Sequence, residues 1–439
     1  MKKHLIFWAL GLFLVACESA SVPAVFKDPT VEALSVFSTA DTEAEASADI
    51  TDVYQTVAEV GVVWAEQANP TISNKSLGFQ DIKGDQLLTF KLPNLQKGKT
   101  YFLRTYYRLG DKTTYGNEIS WTQNYTGDWR RLASPKLSAD EYIYNENTIL
   151  DSQSGTFTLF VNKINRFTNE AVYQVYYPSF NEWNVNFRGN DFQNAKPFPA
   201  LFNPIKAQFV TNGQRPLTLF GAGYQMKPRG GRFYLRNMYI LESNGSWEAY
   251  PGAEATNTSF GIEDYVYVIE NLPNGNVWRF DFSVLKWTNM GKFPYDKPAR
   301  LVGFDVGERA FVLVEPADIQ ATSNELYEYL PKENRWVRRA NFTGENRRKG
   351  AAFISNGKAY FGLGQTPTSG KPLRDIWEYD PASNAWRKVG DYPGTGTIEV
   401  LAEGLGNGAL IGFGQQVRNT SVGGEDYRTA SDFWFFRLR

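Results

Sequence analysis

Arginines, carboxylates and aromatic rings are the groups with which this chain could do chemistry, because its only histidine is His4 and its only cysteine is Cys17. A Ser-His-Asp or Cys-His nucleophile, a histidine general base, and a histidine-ligated zinc, copper or haem all need side chains that the rest of the sequence lacks. Glu345, Arg347 and Arg348 stand together, and Glu399 and Glu403 occupy an equivalent loop and inner strand further along the chain. Such acids beside guanidinium groups could move protons on a sugar, yet no two acids stand at an identifiable catalytic spacing. Arginine forks bind carboxylate or phosphate through two parallel bonds, and aromatic rings stack on flat ligand surfaces. Arg229, Arg232, Tyr295, Arg300, Arg347, Arg348, Arg418 and Tyr427 are therefore the candidate ligand-binding residues. No phosphate-binding glycine loop, EF-hand loop or zinc motif is present, and no cofactor is expected.

A repeat positions these residues. Units of the type VYQVYYPSFNEW, NMYILESNGSW, VWRFDFSVLKW, ELYEYLPKENRW and IWEYDPASNAW end at Trp183, Trp247, Trp287, Trp336 and Trp386, with successive spacings of 64, 40, 49 and 50 residues. A period near 50 suits a four-stranded propeller blade, which buries its two faces only when neighbours stack on it. Short apolar strands precede the units, among them GTFTLFVN, QRPLTLFGAG, DYVYVIEN, ERAFVLVE, GKAYFGLG and GALIGFGQ. SDFWFFRLR at 431–439 has no tryptophan strand after it, and GDWRRLA at 127–133 has nothing before it. Pairing the two closes a ring and removes two raw edges, which predicts six blades between Asp128 and Arg439. In such a meander the loops joining second to third strands (223–236, 365–374, 415–431) share a face with the loops joining blades. That face gathers the eight candidates, with Asp140, Tyr142, Phe198 and Phe202 nearby.

The segment resembles kelch-repeat propellers, with its clearest match in GKAYFGLGQTPTSGKPLRDIWEYDPASNAW. The family's paired glycines appear only as Gly221-Ala222-Gly223, Gly362-Leu363-Gly364 and Gly412-Phe413-Gly414. The resemblance implies two enzymatic precedents. Copper-radical oxidases of this type need histidines and a cysteine-linked tyrosine, which this chain does not offer; sialate epimerases are built around acids and arginines, which it does.

The first residues read as an export signal: two lysines, an apolar run from Leu5 to Ala16 too short to span a bilayer of roughly 30 Å, then Cys17. Leu14-Val15-Ala16-Cys17 resembles the bacterial lipobox, which implies removal of residues 1–16 and lipid on Cys17, followed by a tether over 17–28. Residues 29–123 alternate with period two, as in TYFLRTYYRL. Leu95-x-x-Gly98-x-x-Tyr101 resembles the tyrosine-corner signature of fibronectin type III domains, in the version common in surface lipoproteins of Bacteroidetes. The expected fold is thus all-β: a small fibronectin type III-like sandwich, then a six-bladed kelch-type β-propeller over 124–439. With 46 Lys and Arg against 47 Asp and Glu, no global field draws the chain to nucleic acid. The first functional reading is a non-enzymatic outer-membrane lipoprotein, on the cell surface rather than the periplasmic leaflet, binding a glycan, peptide or other cargo beside a TonB-dependent transporter. A protein-binding scaffold in an envelope complex and a glycan epimerase or lyase stay open as alternatives.

Overall fold

The computed structural model describes residues 28–124, 128–134, 256–405, 408–419, 425–430 and 432–438, and between 141 and 251 only the strands named below. The described residues divide into two compact units. One takes in the described part of Met1–Ala33 with Ala48–Phe90 and Tyr101–Ser120; the other takes in Leu34–Ser47, Lys91–Thr100 and Trp121–Arg439. Among the described residues no helix is long and apolar enough to cross a membrane.

In the first unit alternation sets the faces. Along Thr100–Leu109 the side chains of Tyr101, Leu103, Thr105 and Tyr107 are buried while Phe102 and Arg104 are half-buried. This strand lies in the order Lys75–Ile82, Val57–Ala65, Thr100–Leu109, Lys112–Thr122. Tyr106 is opposite Gly61, and a Cβ on that glycine would lie 2.6 Å from the tyrosine ring. The ring covers the bare backbone that glycine leaves on a sheet. Thr30–Ala40, Glu43–Thr51 and Gln86–Leu92 form a three-stranded sheet in that order.

The larger unit is a propeller-like succession of antiparallel sheets, each ordered from first strand to last. Sheet A contains Leu150–Gln153, Thr156–Ile164, Asn169–Tyr177 and Glu182–Asn184, with Glu141–Tyr142 added beside the second strand. Sheet B contains Ile205–Val210, Pro216–Gly221, Asn237–Leu241 and Trp247–Pro251. Sheet C contains Thr256–Ile262, Tyr265–Glu270, Asn276–Asp281 and Lys286–Lys292. Sheet D contains Ala299–Val306, Arg309–Pro316, Glu325–Leu330 and Arg335–Arg338. Sheet E contains Ala351–Ser355, Lys358–Gly362, Asp375–Asp380 and Ala385–Asp391. Sheet F contains Leu401–Leu405, Gly408–Gly412 and Phe433–Arg437, and its fourth strand is Trp129–Arg131, from the start of the unit. The register is Trp434 to Arg131, Phe435 to Arg130 and Phe436 to Trp129, so the expected pairing of 128–133 with 431–438 is present.

Among the described residues, sheets C to F are apolar where neighbouring sheets cover them. Phe260 and Ile262 of sheet C pack with Leu301 and Val312 of sheet D. Phe304 and Phe311 of D meet Phe361 and Tyr379 of E. Phe353 and Tyr360 of E meet Ile411 and Trp434 of F, and Phe413 and Phe433 of F reach Tyr176 of A. Two segments expected as loops between second and third strands are hairpins instead: Tyr224–Met226 pairs with Arg232–Tyr234, and Gln415–Asn419 with Glu425–Thr429. Strands of three to five residues that gain only one partner are too short to show a period in the sequence.

The tryptophan units share a turn. Tyr329 Oη donates to Asn334 Oδ1 at 2.7 Å, and Tyr379 Oη to Asn384 Oδ1 at 2.9 Å. Both asparagines have left-handed backbone, φ 47° and 51°, which short amide side chains tolerate better than other L residues. In sheet C the corresponding residue is Leu285, with φ 52° and 55% exposure, so its side chain gains little burial for the strain. Leu285→Asn is expected to stabilise the protein by about 1 kcal/mol in chemical denaturation, since the strain is of that order. An unchanged or lowered midpoint would contradict this.

Candidate functional site

The connection from sheet D to sheet E, Phe342-Thr343-Gly344-Glu345-Asn346-Arg347-Arg348-Lys349-Gly350, carries two of the candidates, Arg347 and Arg348. Arg347 is 0% exposed. Its two terminal nitrogens donate to Asp375 Oδ1 and Oδ2 at 2.9 Å each, and Nη1 also reaches the Leu363 carbonyl at 3.1 Å. Nε donates to the Glu345 carbonyl at 3.1 Å, and the guanidinium lies 4.7 Å over the Phe342 ring. Burial alone would raise the Asp375 carboxyl; the Arg347 fork and the Trp377 indole N–H outweigh it and hold that carboxyl below the usual range. Gly344 makes the turn possible, because a Cβ there would lie 2.5 Å from the Phe342 ring. The reading of Arg347 as a displayed ligand contact is therefore corrected: its fork is closed by a carboxylate 28 residues away in sequence, inside the protein.

Arg300 and Arg348 lie at the same junction. Arg300 Nη1 donates to Glu315 Oε2 at 2.7 Å and to the Gly350 carbonyl at 3.2 Å. Glu315, 2% exposed, also accepts the amides of Lys349 and Gly350, both at 2.9 Å. Arg348 donates from Nε to the Pro316 carbonyl at 3.2 Å and from Nη2 to the Ala317 carbonyl. Tyr295 packs partly against the core between sheets C and D; burial first, then Glu325, Asp318 and Asp296, push its hydroxyl pKa up. Arg232, Arg418 and Tyr427 fall on the two hairpins, where the backbone alone is described, opposite Met226, Asp426 and Val417. Arg229, Asp140, Phe198, Phe202 and Cys17 lie outside the described residues.

The acids separate. Glu345 is an exposed carboxylate 3.8 Å from Lys371. Glu399 stands 3.4 Å from Lys349, and both residues have left-handed backbone, φ 51° and 56°. Glu403 lies on the first strand of sheet F, opposite Leu410, and its charge bears on Asp305 of sheet D. Asp305 was not singled out by the sequence, which shows an acid in an apolar strand but not what surrounds it. Burial above all, with a smaller push from Glu403, raises its pKa to about 7, against amide hydrogen bonds from Gly261 and its own residue. The folded pKa lies above the unfolded value, so stability falls as pH rises from about 4 to 7 and is level beyond. Asp305→Asn is expected to remove that fall and to stabilise at pH 8 by roughly 2 kcal/mol, half of the limit that a three-unit shift allows. Parallel stability curves of the two proteins from pH 4 to pH 8 would contradict it.

The described residues include neither histidine nor cysteine, and among them no three His, Cys, Asp or Glu side chains converge as metal ligands. Chemistry that depends on histidine or cysteine, copper-radical oxidation included, is excluded, because the sequence has no histidine besides His4 and no cysteine besides Cys17.

No protein-family model matches the chain, and no curated protein is similar to it. Among solved structures it is similar to YjhT, at 11% identity and a TM-score of 0.44, over 69% of this chain and 96% of the other. It is also similar to a fungal alcohol oxidase of the AA5 family in complex with copper, at 10% identity and a TM-score of 0.47, over 71% and 76% of the two chains.

Proposed function

We propose that sheets A to F close as a six-bladed kelch-type propeller over residues 124–439, carried on a fibronectin type III-like spacer over 29–123, and that its loop face binds a glycan without transforming it. The observation that carries this reading is the state of the charged groups around the junction of sheets D and E. Arg347 is closed by Asp375, Arg300 by Glu315 and Lys349 by Glu399, so acid and base groups are matched to one another in the fold. Such pairing holds loops in place and leaves hydrogen bonding and ring stacking to do the recognition. A glycan array probed with the full chain tests it: retention of a defined glycan class is expected, and capture of no glycan would overturn it.

A glycan epimerase or lyase is the second reading, favoured by Lys349 and Glu399, an ion pair whose two members both hold strained backbone. Strain of that kind collects at active sites. It requires turnover that disappears in Glu399→Gln.

The anchor completes the proposal. Residues 1–16 are removed, Cys17 is lipidated, 17–28 form the tether, and the protein sits at the outer membrane facing the cell exterior, beside a TonB-dependent transporter that takes the cargo. Acyl chains hold a protein by burying their methylenes, about 0.8 kcal/mol each. Cys17→Ser is expected to release the protein from the membrane fraction or to leave its precursor unprocessed. Finding the parent wholly soluble would contradict this.

A further inference from the structure

The four-stranded sheet of the first unit ends differently at its two sides. At one side lies Lys112–Thr122, where Asn117 imitates a further strand: its Nδ2 donates to the Ala33 carbonyl at 3.0 Å, and its Oδ1 accepts the Ala33 amide at 2.6 Å. That edge is covered. At the other side lies Lys75–Ile82, which pairs with Val57–Ala65 and, among the described residues, with no strand beyond it.

Sheet edges are ordinarily blunted by central charges, proline or a very short strand. Here the centre of the strand is Leu77-Gly78-Phe79, and the charges, Lys75 and Asp81, stand towards its ends. Phe79 is 44% exposed although it lies opposite Val60, which is wholly buried, and its ring meets that of Phe90 at 5.1 Å. One side of the ring closes the rim of the core, and the other meets solvent. Gly78 lies opposite Gly61, and a Cβ on it would come within 2.4 Å of Glu59 Oε1, so the middle of the edge is bare backbone.

We infer that Lys75–Ile82 is the surface through which two copies of this chain associate, strand against strand. The order of residues along the edge is complementary to itself. About a two-fold axis through Gly78, an antiparallel pair sets Gly78 against Gly78 of the second copy, Leu77 against Phe79, Ser76 against Gln80 and Lys75 against Asp81. Side chains two apart share a face, so Lys75, Leu77, Phe79 and Asp81 project to the core side. There two apolar pairs cover the exposed Phe79 rings, and an ion pair flanks them at each end. Asp81 has left-handed backbone, φ 54°, which ends the regular ladder at Gln80; the long side chain of Lys75 spans the last step. Registers displaced by two residues lose the match, since one sets Lys75 against Phe79 and the other sets it against Lys83. Because Asn117 covers the opposite edge, the sheet cannot go on adding copies, and the assembly closes at two. This association is separate from the glycan reading of the loop face.

Sedimentation equilibrium of the mature chain with Cys17→Ser, which removes the lipid, tests it. A concentration-dependent equilibrium between monomer and dimer is expected. Asp81→Lys sets lysine against Lys75 at both ends of the pair, and should weaken association at least about tenfold, because the two-fold axis applies each change twice. Adding Lys75→Asp to it restores opposite charges and should return most of the affinity, a recovery that a damaged fold could not give. Phe79→Lys should leave only monomer. A parent that stays monomeric throughout the concentration series overturns the inference, and so does a dimer of equal strength in the parent, Asp81→Lys and Phe79→Lys.

Discussion

A chain lacking residues 432–439 is expected to lose the cooperative unfolding of the larger unit. The deletion removes the third strand of sheet F, and with it both the partner of Gly408–Gly412 and that of Trp129–Arg131. Phe433, Trp434 and Phe436 leave the core as well. Phe433 meets Tyr176 of sheet A edge-on at 5.2 Å, and Phe436 stacks on Trp129 at 4.3 Å, so two inter-sheet clusters are opened at once. Loss of one large core aromatic costs about 3–5 kcal/mol, and a domain's whole stability is about 5–15 kcal/mol. Three such losses, about 9–15 kcal/mol, are as large as the whole. Two strand edges are exposed besides, which favours aggregation. Circular dichroism and denaturant titration read the result; a deletion variant that melts like the parent would show that sheet F does not depend on this pairing.

Arg347→Ala is expected to destabilise by about 3–5 kcal/mol, because it leaves the Asp375 carboxylate among buried groups without its counterion. The loss should be carried mainly by that orphaned charge. Arg347→Met with Asp375→Asn removes both charges and should lose less than Arg347→Ala alone, since a buried pair replaced as a unit is close to neutral. Denaturant titration of the three proteins separates these outcomes. If Arg347→Ala unfolds at the parent's midpoint, the arginine is a displayed group after all and belongs again among the ligand contacts.

How far the sequence reveals this protein differs between strands and loops. Tyr101, Leu103, Thr105 and Tyr107 announce their common face by alternation, and the pairing of Trp129–Arg131 with Phe433–Arg437 follows from two apolar segments that each lack a partner nearby. Both signals are local, or need only an even count of edges. The fate of a loop arginine is not local. Arg347 and Arg348 are neighbours of one type, yet one is enclosed by Asp375, Phe342 and Leu363 while the other lies along the carbonyls of Pro316 and Ala317. Only the tertiary arrangement decides which. The hairpin at Gln415–Asn419 is illegible for another reason: apart from the Val417 and Tyr427 pair its strands are polar, so composition reads them as loop. Asp305 is likewise one acid in a strand until Gly261 and Glu403 are seen to face it.

The claim that the loop face binds a glycan without changing it is tested most directly by nuclear magnetic resonance of a glycan retained by the full chain, followed over prolonged incubation. The expected result is reversible line broadening or saturation transfer on the sugar signals, with every chemical shift restored once the protein is removed. New anomeric or ring-proton signals that grow with time, and that do not appear with Glu399→Gln, would contradict the account and assign the site to catalysis.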